Sequence, residues 1–433
     1  MDVRKLAIEA IEKIVEKKGF THIVVNEYLR KFILSDQDKS FFTKLVYGTV
    51  ENLLTIEYYL EPFLKKRQKP WVKYLLYVSI YQLVYLKTPN YAVVDEAVSI
   101  ANLKDRSIGG FVNAVLRNFL RNDLRDFSGL DEIETLSIKY SYPKWLIAYL
   151  LKDYSYEVVE KILIEFAKVK KTAVRVNTLL TTNEEVMERL TQDGITFEKS
   201  DLVKNGLLID GNILDHELFK TGKIVIQDLA AQLVSEVVGP SEGAKVLDAC
   251  AAPGGKSSHL SAIMNNTGTI IACDIHKHKQ KLMDNLFKNN GNKNIITKII
   301  DARLLKNEEE YINSFNYILA DVPCSGLGVM GHKVDLKYQM NLESIEEIKI
   351  LQSEILNSTW ELLKPGGYYT YSTCTLNKEE NEQQIQKFLK NRSDVEVVYE
   401  RTILPFEHNS DGFYICKMRK IWWIQFIIIQ EKN

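Results

Sequence analysis

Apolar residues recur three and four positions apart through FFTKLVYGTVENLLTIEYYLEPFL and WVKYLLYVSIYQLVYL. That spacing lines one face of a helix, so residues 1 to about 125 read as helical throughout. Pro62, Pro70 and Pro89 punctuate the run. The stretch VVDEAVSIANLKDRSIGGFVNAVLRNFLRN is predicted to add two more helices, broken at Gly109–Gly110. Residues 1–128 are therefore expected to form an all-α bundle, without an acid–base cluster of its own.

The pattern then changes twice. The helical segments PKWLIAYLLKDY and YEVVEKILIEFAK lead into short strand-like runs, TAVRVNTL and NGLLIDG. They predict a small α+β connecting module over 129–222. From 223 onward strands alternate with helices. KVLDACAA, TIIACDI, NIITKIIDA, FNYILADV and GYYTYSTCT read as strands, with GKSSHLSAIM, HKQKLMDNLFKNN and SIEEIKILQSEILNSTWELL as helices between them. A helix in EENEQQIQKFLKN and a strand in GFYICKM close the series. Such alternation predicts a Rossmann-like, doubly wound and mostly parallel α/β sheet over 223–420, with ligands at the C-terminal strand ends. The apolar tail 421–433, IWWIQFIIIQEKN, has no function read from it. It is expected either to add an edge strand or to be an aggregation liability.

The chain's 433 residues suit two to four domains. Lys+Arg and Asp+Glu number 56 and 57, so global charge says nothing about partners. Local charge does, since residues 1–125 hold about 20 Lys/Arg against about 14 Asp/Glu. A basic lobe on a neutral protein fits a phosphate-facing surface, although a solvated helical face would look the same. The five cysteines are odd in number and form no CxxC, which argues against a disulfide framework and a zinc ribbon. The N-terminus is an amphipathic charged helix and not a signal peptide. No apolar run reaches the ~18 residues needed to span a bilayer. A cytoplasmic, metal-free protein that does not use a membrane is expected, as a monomer.

Five strand ends carry candidate chemistry. Asp248-Ala249-Cys250-Ala251-Ala252-Pro253-Gly254-Gly255-Lys256 ends one strand and opens a helix. Its small residues let a ligand approach the backbone, and the helix N-terminus offers free amides to a carboxylate. A phosphate-binding P-loop would need glycine where Cys250 stands. Asp274 ends the next strand, at the spacing from the glycine turn where an acid accepts from ribose hydroxyls. Asp301 ends the third and could accept from an adenine amino group. Either acid could instead simply cap the helix that follows. Together Cys250 to Lys256, Asp274 and Asp301 outline a pocket for S-adenosyl-L-methionine. Gly326-Leu327-Gly328-Val329-Met330-Gly331 matches GxGxxG but follows a later strand and opens no helix, so it reads as an active-site loop.

The last two ends point to the reaction. Asp321-Val322-Pro323-Cys324 ends one strand and Ser372-Thr373-Cys374 another. A lone cysteine is most often a small buried hydrophobe, the reading adopted for Cys250, Cys273 and Cys416 as thiols. Two thiols at strand ends beside a methyl-donor pocket call for chemistry. Carbon 5 of cytosine is a poor nucleophile, and a thiolate adding to carbon 6 makes it enamine-like. Asp321 is placed to stabilise the N3 edge. A base must then remove the carbon-5 proton so that the thiol can leave. The residues alone leave open which thiol attacks.

DACAAPGGK, DVPCSGLG and YSTCT resemble the RNA cytosine-5 methyltransferases of the RsmB/Sun/Fmu family. FFTKLVYGTVEN, NYAVVDEAV and GGFVNAVLRN resemble a NusB-like RNA-binding bundle, and RVNTL with GKIVIQDLAAQLV resembles the family's connecting module and lead-in helix. The likeness spans about residues 1–419, with Val322 standing where the family usually has alanine. It implies methylation of carbon 5 of a cytosine in 16S ribosomal RNA, unassembled or partly assembled. Cys374 would be the nucleophile and Cys324 would help release the product. Cofactor contacts would fall on Cys250, Ala251, Ala252, Pro253, Gly254, Gly255, Lys256, Asp274, Asp301 and Asp321. A transfer-RNA or other RNA methyltransferase, or a NusB-like binding factor without catalysis, are the rival expectations.

Overall fold

The structure is a computed structural model that describes residues 2–390 and 392–421. All but the first residue of the apolar tail lies outside the described residues. The described chain divides into two compact units, residues up to Ala167 with Met330–Met340, and Lys168–Val329 with the residues from Asn341.

The first unit is helical. Its helices include Val3–Glu16, Asp36–Glu51, Leu53–Leu60, Pro70–Val84, Asn90–Lys104 and Arg106–Leu120, followed by Glu132–Tyr140, Lys144–Leu150 and Tyr156–Phe166. Pro70–Val84 is apolar nearly all round, so it is buried as the bundle's centre; every residue from Tyr74 to Gln82 is buried. Ile11, Leu45, Ile56, Leu116 and their neighbours pack around it. The break expected at Gly109–Gly110 falls instead at Asp105. Its extended backbone ends one helix, and its carboxylate accepts from the Ser107 amide to start the next. Gly109 lies inside the second helix, where a Cβ would collide with the Asn102 side chain at 1.9 Å. Gly109 thus marks close helix packing, whereas Gly110 faces open space.

Met330–Met340 belongs to this unit although it interrupts the α/β part of the sequence. Lys337 is buried, donates to the Glu51 carbonyl at 2.8 Å and lies 4.0 Å from the Tyr142 ring centroid. Burial pushes its ammonium pKa down to about 7.

The second unit has two sheets. The smaller is antiparallel, in the order β2-β3-β1-β4, from β1 (Thr172–Val176), β2 (Phe197–Lys199), β3 (Gly206–Ile209) and β4 (Ile224–Ile226). Strand β4 pairs with Val174–Val176, so the connecting sheet runs past residue 222. The larger is assembled from β5 (Lys245–Asp248), β6 (Thr269–Asp274), β7 (Ile295–Ile299), β8 (Phe315–Asp321), β9 (Leu363–Thr373), β10 (Val395–Ile403) and β11 (Phe413–Lys420). Their order is β10-β11-β9-β8-β5-β6-β7. The five from β9 to β7 are parallel, while β11 and β10 are antiparallel additions. The parallel core shows in sequence as unbroken apolar runs such as IIAC and YILA, as strands covered on both faces require. Strand β10 escapes that reading because it is an edge strand with most positions exposed or half-exposed.

Candidate active site

The strand order sets the site. Strands β5, β6 and β7 run one way from the sheet's centre and β8 and β9 the other, so the topological switch lies between β5 and β8. Ligands of doubly wound sheets bind at that crevice, off the carboxyl ends of the strands. Along that edge come Cys374, Asp321, Asp248 with the glycine turn, Asp274 and Asp301, the predicted residues in spatial rather than sequence order.

The turn after β5 is folded tightly. The Ala251 amide donates to the Cys273 carbonyl at 2.8 Å and the Gly254 amide to the Ala251 carbonyl at 2.7 Å. Gly254 sits at φ +105°, and a Cβ there would come within 2.8 Å of the Phe287 ring. Only glycine satisfies both conditions. The helix Gly255–Ile263 then opens with no side chain capping it, which leaves first-turn amides directed at the crevice. At its base, buried Asp248 accepts from Ser257 Oγ at 2.5 Å while its Oδ1 has no partner. Burial pushes this carboxyl up to about 7. The folded state therefore holds a proton that the unfolded chain releases near pH 4. The group's contribution is full below that pH and is lost as pH rises to about 7. Asp248→Asn is expected to flatten this fall in a melting-temperature series from pH 4 to 8; an unchanged slope would contradict the assignment.

Asp274 is 9% exposed; its Oδ1 caps the following turn by accepting from the His276 amide at 2.8 Å, and Oδ2 faces Lys279 at 3.5 Å. Asp301 starts a short 3-10 helix by accepting from the Arg303 amide at 3.0 Å, and the Arg303 guanidinium grips both of its oxygens. That hydrogen-bonded cation lowers its pKa. Both acids thus do the capping work the sequence also allowed, at the end of neighbouring strands.

Asp321, at the end of β8, accepts from Lys256 Nζ at 2.7 Å and Ser372 Oγ at 2.8 Å. This ties the glycine turn, β8 and β9 together across the switch point. Burial works against the Lys256 ammonium, but Asp321 outweighs it and the pKa stands raised. The Cys324 and Cys374 sulfurs lie 3.3 Å apart, both reduced and partly accessible. The hydrogen bond to Cys374, burial and the nearby Glu380 and Asp321 push the Cys324 thiol well above its usual range. The Gly326–Gly331 loop is explained here as well. Gly328 donates to the Cys374 carbonyl at 3.0 Å, accepts from the Gly412 amide at 2.9 Å, and has no room for a Cβ, which would meet the Gly412 oxygen at 2.0 Å.

The sequence reading missed the support beneath the thiols. Glu380 is wholly buried. Its carboxylate accepts from the Ser325 amide, Gln352 Nε2 and Asn377 Nδ2, each at 2.9 Å, and from Ser325 Oγ. In sequence it stands in NKEEN, just ahead of a helix, where an acid usually means only a solvated first turn. Among the described residues no cluster of three or more His, Cys, Asp or Glu could hold a metal ion, and no helix is long and apolar enough to cross a membrane.

The crevice fits S-adenosylmethionine on its own features: an uncapped helix start for a carboxylate, a glycine turn closed to side chains, and acids on successive strand ends. Fold and site together define an S-adenosylmethionine-dependent methyltransferase of ribosomal RNA. Residues 235–419 match the model for the 16S rRNA methyltransferase RsmB/F family, residues 1–121 that for the NusB family, and residues 142–214 that for the RsmF/B-like ferredoxin-like domain. A Bacillus subtilis protein named a probable ribosomal RNA small subunit methyltransferase B is 36% identical, with 96% of this chain and 98% of that protein covered. Ribosomal RNA small subunit methyltransferase B of Proteus mirabilis is 30% identical, with 97% and 99% covered. Among solved structures, a methyltransferase homologue from Pyrococcus horikoshii is 29% identical, covers 69% of this chain and all of its own, and superposes with a TM-score of 0.60. The chain belongs to the RsmB/F family of ribosomal RNA methyltransferases.

Proposed function

We propose that the chain methylates carbon 5 of a cytosine in 16S ribosomal RNA through a covalent adduct at carbon 6, as a cytoplasmic monomer acting on unassembled or partly assembled RNA. The observation that carries this reading is the 3.3 Å contact of Cys324 with Cys374 beside the Lys256–Asp321 pair. The charges favour one division of labour. Lys256 is the cation coupled to the Cys374 sulfur, whereas Cys324 faces the carboxylates of Glu380 and Asp321. Negative charge is stabilised on Cys374 and opposed on Cys324.

Cys374 then attacks carbon 6, and the ring's electrons shift toward the N3 edge, where the Lys256 ammonium, held in place by Asp321, donates to the developing negative charge. Cys250, Ala251, Ala252, Pro253, Gly254 and Gly255 would hold S-adenosylmethionine, with Asp274 available to its ribose, and the bound cofactor would supply the electrophilic methyl group. Asp301 joins only through lone pairs that Arg303 leaves free. Carbon 5 takes the methyl group and loses its proton to a base. The carbon 6–sulfur bond breaks, and Cys324, held as a thiol, donates its S–H toward the departing Cys374 thiolate. Mapping 5-methylcytosine in 16S ribosomal RNA from cells with and without the gene tests the target. One site vanishing with the gene is expected. An unchanged 16S map with a lost transfer-RNA site would move the substrate elsewhere.

The target base must stand outside a helix or be flipped, at a cost of a few kcal/mol. Backbone contacts supply the binding energy. In the helical unit Lys65, Lys66, Arg67 and Lys69 form an exposed basic loop, and exposed Lys104 stacks on the adjacent Trp71 at 4.6 Å. RNA affinity is expected to fall steeply between low and moderate salt, and replacing Lys65, Lys66 and Arg67 by alanine should flatten the log–log slope by about 0.7 per lost phosphate contact. A salt-independent affinity would remove the bundle from RNA binding.

A further inference from the structure

We propose that Glu380 is a positioning residue for the methyl transfer, holding both thiol-bearing loops so that the two sulfurs meet in one geometry. The inference rests on the two-thiol reading above and adds to it the group that sets the thiols. Glu380 lies six residues beyond Cys374, yet its carboxylate reaches the loop of Cys324. It accepts from the amide and hydroxyl of Ser325, the residue next to Cys324. Gln352 bridges the other side, donating from Nε2 to Glu380 at 2.9 Å and to the Pro323 carbonyl at 2.9 Å. Ser325 Oγ also pairs with Thr375 Oγ1 at 2.7 Å, next to Cys374. On the Cys374 side Asn377 Nδ2 donates to the carboxylate at 2.9 Å and Tyr371 OH to the Glu380 carbonyl at 2.8 Å. Residues flanking both cysteines are thus anchored on one buried carboxyl group.

Such an anion is costly to bury unless its lone pairs are filled. Here four donors fill them, all drawn from the two thiol-bearing loops and the helix Leu342–Trp360 beneath them. The arrangement exceeds what loop closure needs, since an apolar plug would serve without a desolvation penalty. The charge has a second consequence. Cys324 is faced by Glu380, Asp321 and Cys374, and Lys256 is engaged by Asp321. Glu380 therefore adds negative charge on the Cys324 side, reinforcing the Cys374 contact and the burial that already raise that thiol, and favours its protonated form as the donor to Cys374.

Glu380→Gln tests both consequences in the full chain. Whichever way the amide turns, its NH2 meets a donor now served by oxygen, so at least one loop contact is lost. Single-turnover methyl transfer should fall by about 100-fold, the cost of a misplacement near 1 Å, with the RNA KM and the affinity for S-adenosylmethionine unchanged. In a Cys374→Ser background, the pH profile for alkylation of Cys324 by iodoacetamide should move toward lower pH when Glu380→Gln is added. That second readout does not depend on which thiol attacks RNA. Ser325→Ala and Gln352→Leu each remove two of these hydrogen bonds but leave the carboxylate in place, and should lower the rate constant less, in the same pattern. An unchanged alkylation profile overturns the electrostatic part. A loss confined to KM or to cofactor affinity overturns the positioning part, as does parental transfer in Ser325→Ala and Gln352→Leu should Glu380→Gln fail to fold. If Cys374→Ala itself methylates RNA, the two-thiol reading fails whatever Glu380 does.

Discussion

Cys374→Ala is expected to abolish methyl transfer and to leave no RNA covalently held, whereas Cys324→Ala accumulates an RNA adduct that survives denaturing electrophoresis. The two results are opposite because the two sulfurs meet different charges. Lys256 lies with Cys374, so removing that sulfur removes the group whose negative charge the site stabilises. Without it carbon 5 never becomes nucleophilic. Removing Cys324 leaves attack and methyl transfer intact but takes away the S–H that assists the departing thiolate. Turnover should then fall by roughly 10²–10⁴, the usual worth of one proton-transfer group, while the first turnover still delivers its methyl group. Isotope from labelled cofactor should appear in the retained RNA of Cys324→Ala and not in that of Cys374→Ala. The reverse pattern would make Cys324 the nucleophile and would contradict the charge argument. Adducts in neither variant would end the covalent reading.

Much of this site is legible in the chain, because strand-end chemistry is local. DACAAPGGK, DVPC and STC each end a buried parallel strand, and an apolar run that stops at a polar residue marks the edge without coordinates. What the sequence does not show is spatial order. Asp321 and Lys256 are 65 residues apart and touch only because β8 returns beside β5. Glu380 was invisible for a different reason. An acid before a helix is ordinary, and its burial follows from donors supplied by Ser325 and Gln352, far away in sequence. Gly109 misleads because a glycine that lets two helices touch looks, in sequence, like one that ends a helix. Strand β10 was missed because VEVVYERTI lies at the sheet's edge, where exposure removes the alternation a half-buried strand would show.

The Lys256–Asp321 pair separates stability from chemistry. Its side chains are only 16% and 25% exposed, so each variant that removes one partner strands the other in a poorly solvated crevice. Asp321→Leu should cost about 3 kcal/mol, the lower end for breaking a buried pair. It leaves an ammonium whose raised pKa depends chiefly on that carboxylate, with the Phe413 ring at 5.3 Å and the weaker fields of Cys374 and Asp248 in compensation. Lys256→Met should cost less, because Asp321 keeps its hydrogen bond from Ser372. The double variant Lys256→Met/Asp321→Leu should recover most of the loss in urea unfolding, since apolar replacements of similar volume often match an ion pair once both desolvation penalties are gone. All three variants should be inactive, because without Lys256 the N3 edge of the bound base meets no cation, and without Asp321 the ammonium is no longer held toward it. A double variant that is stable yet inert would show that the pair is kept for the reaction and not for the fold. A double variant as unstable as Asp321→Leu alone would make it a structural tie, and one that still methylates RNA would free the N3 edge from both residues.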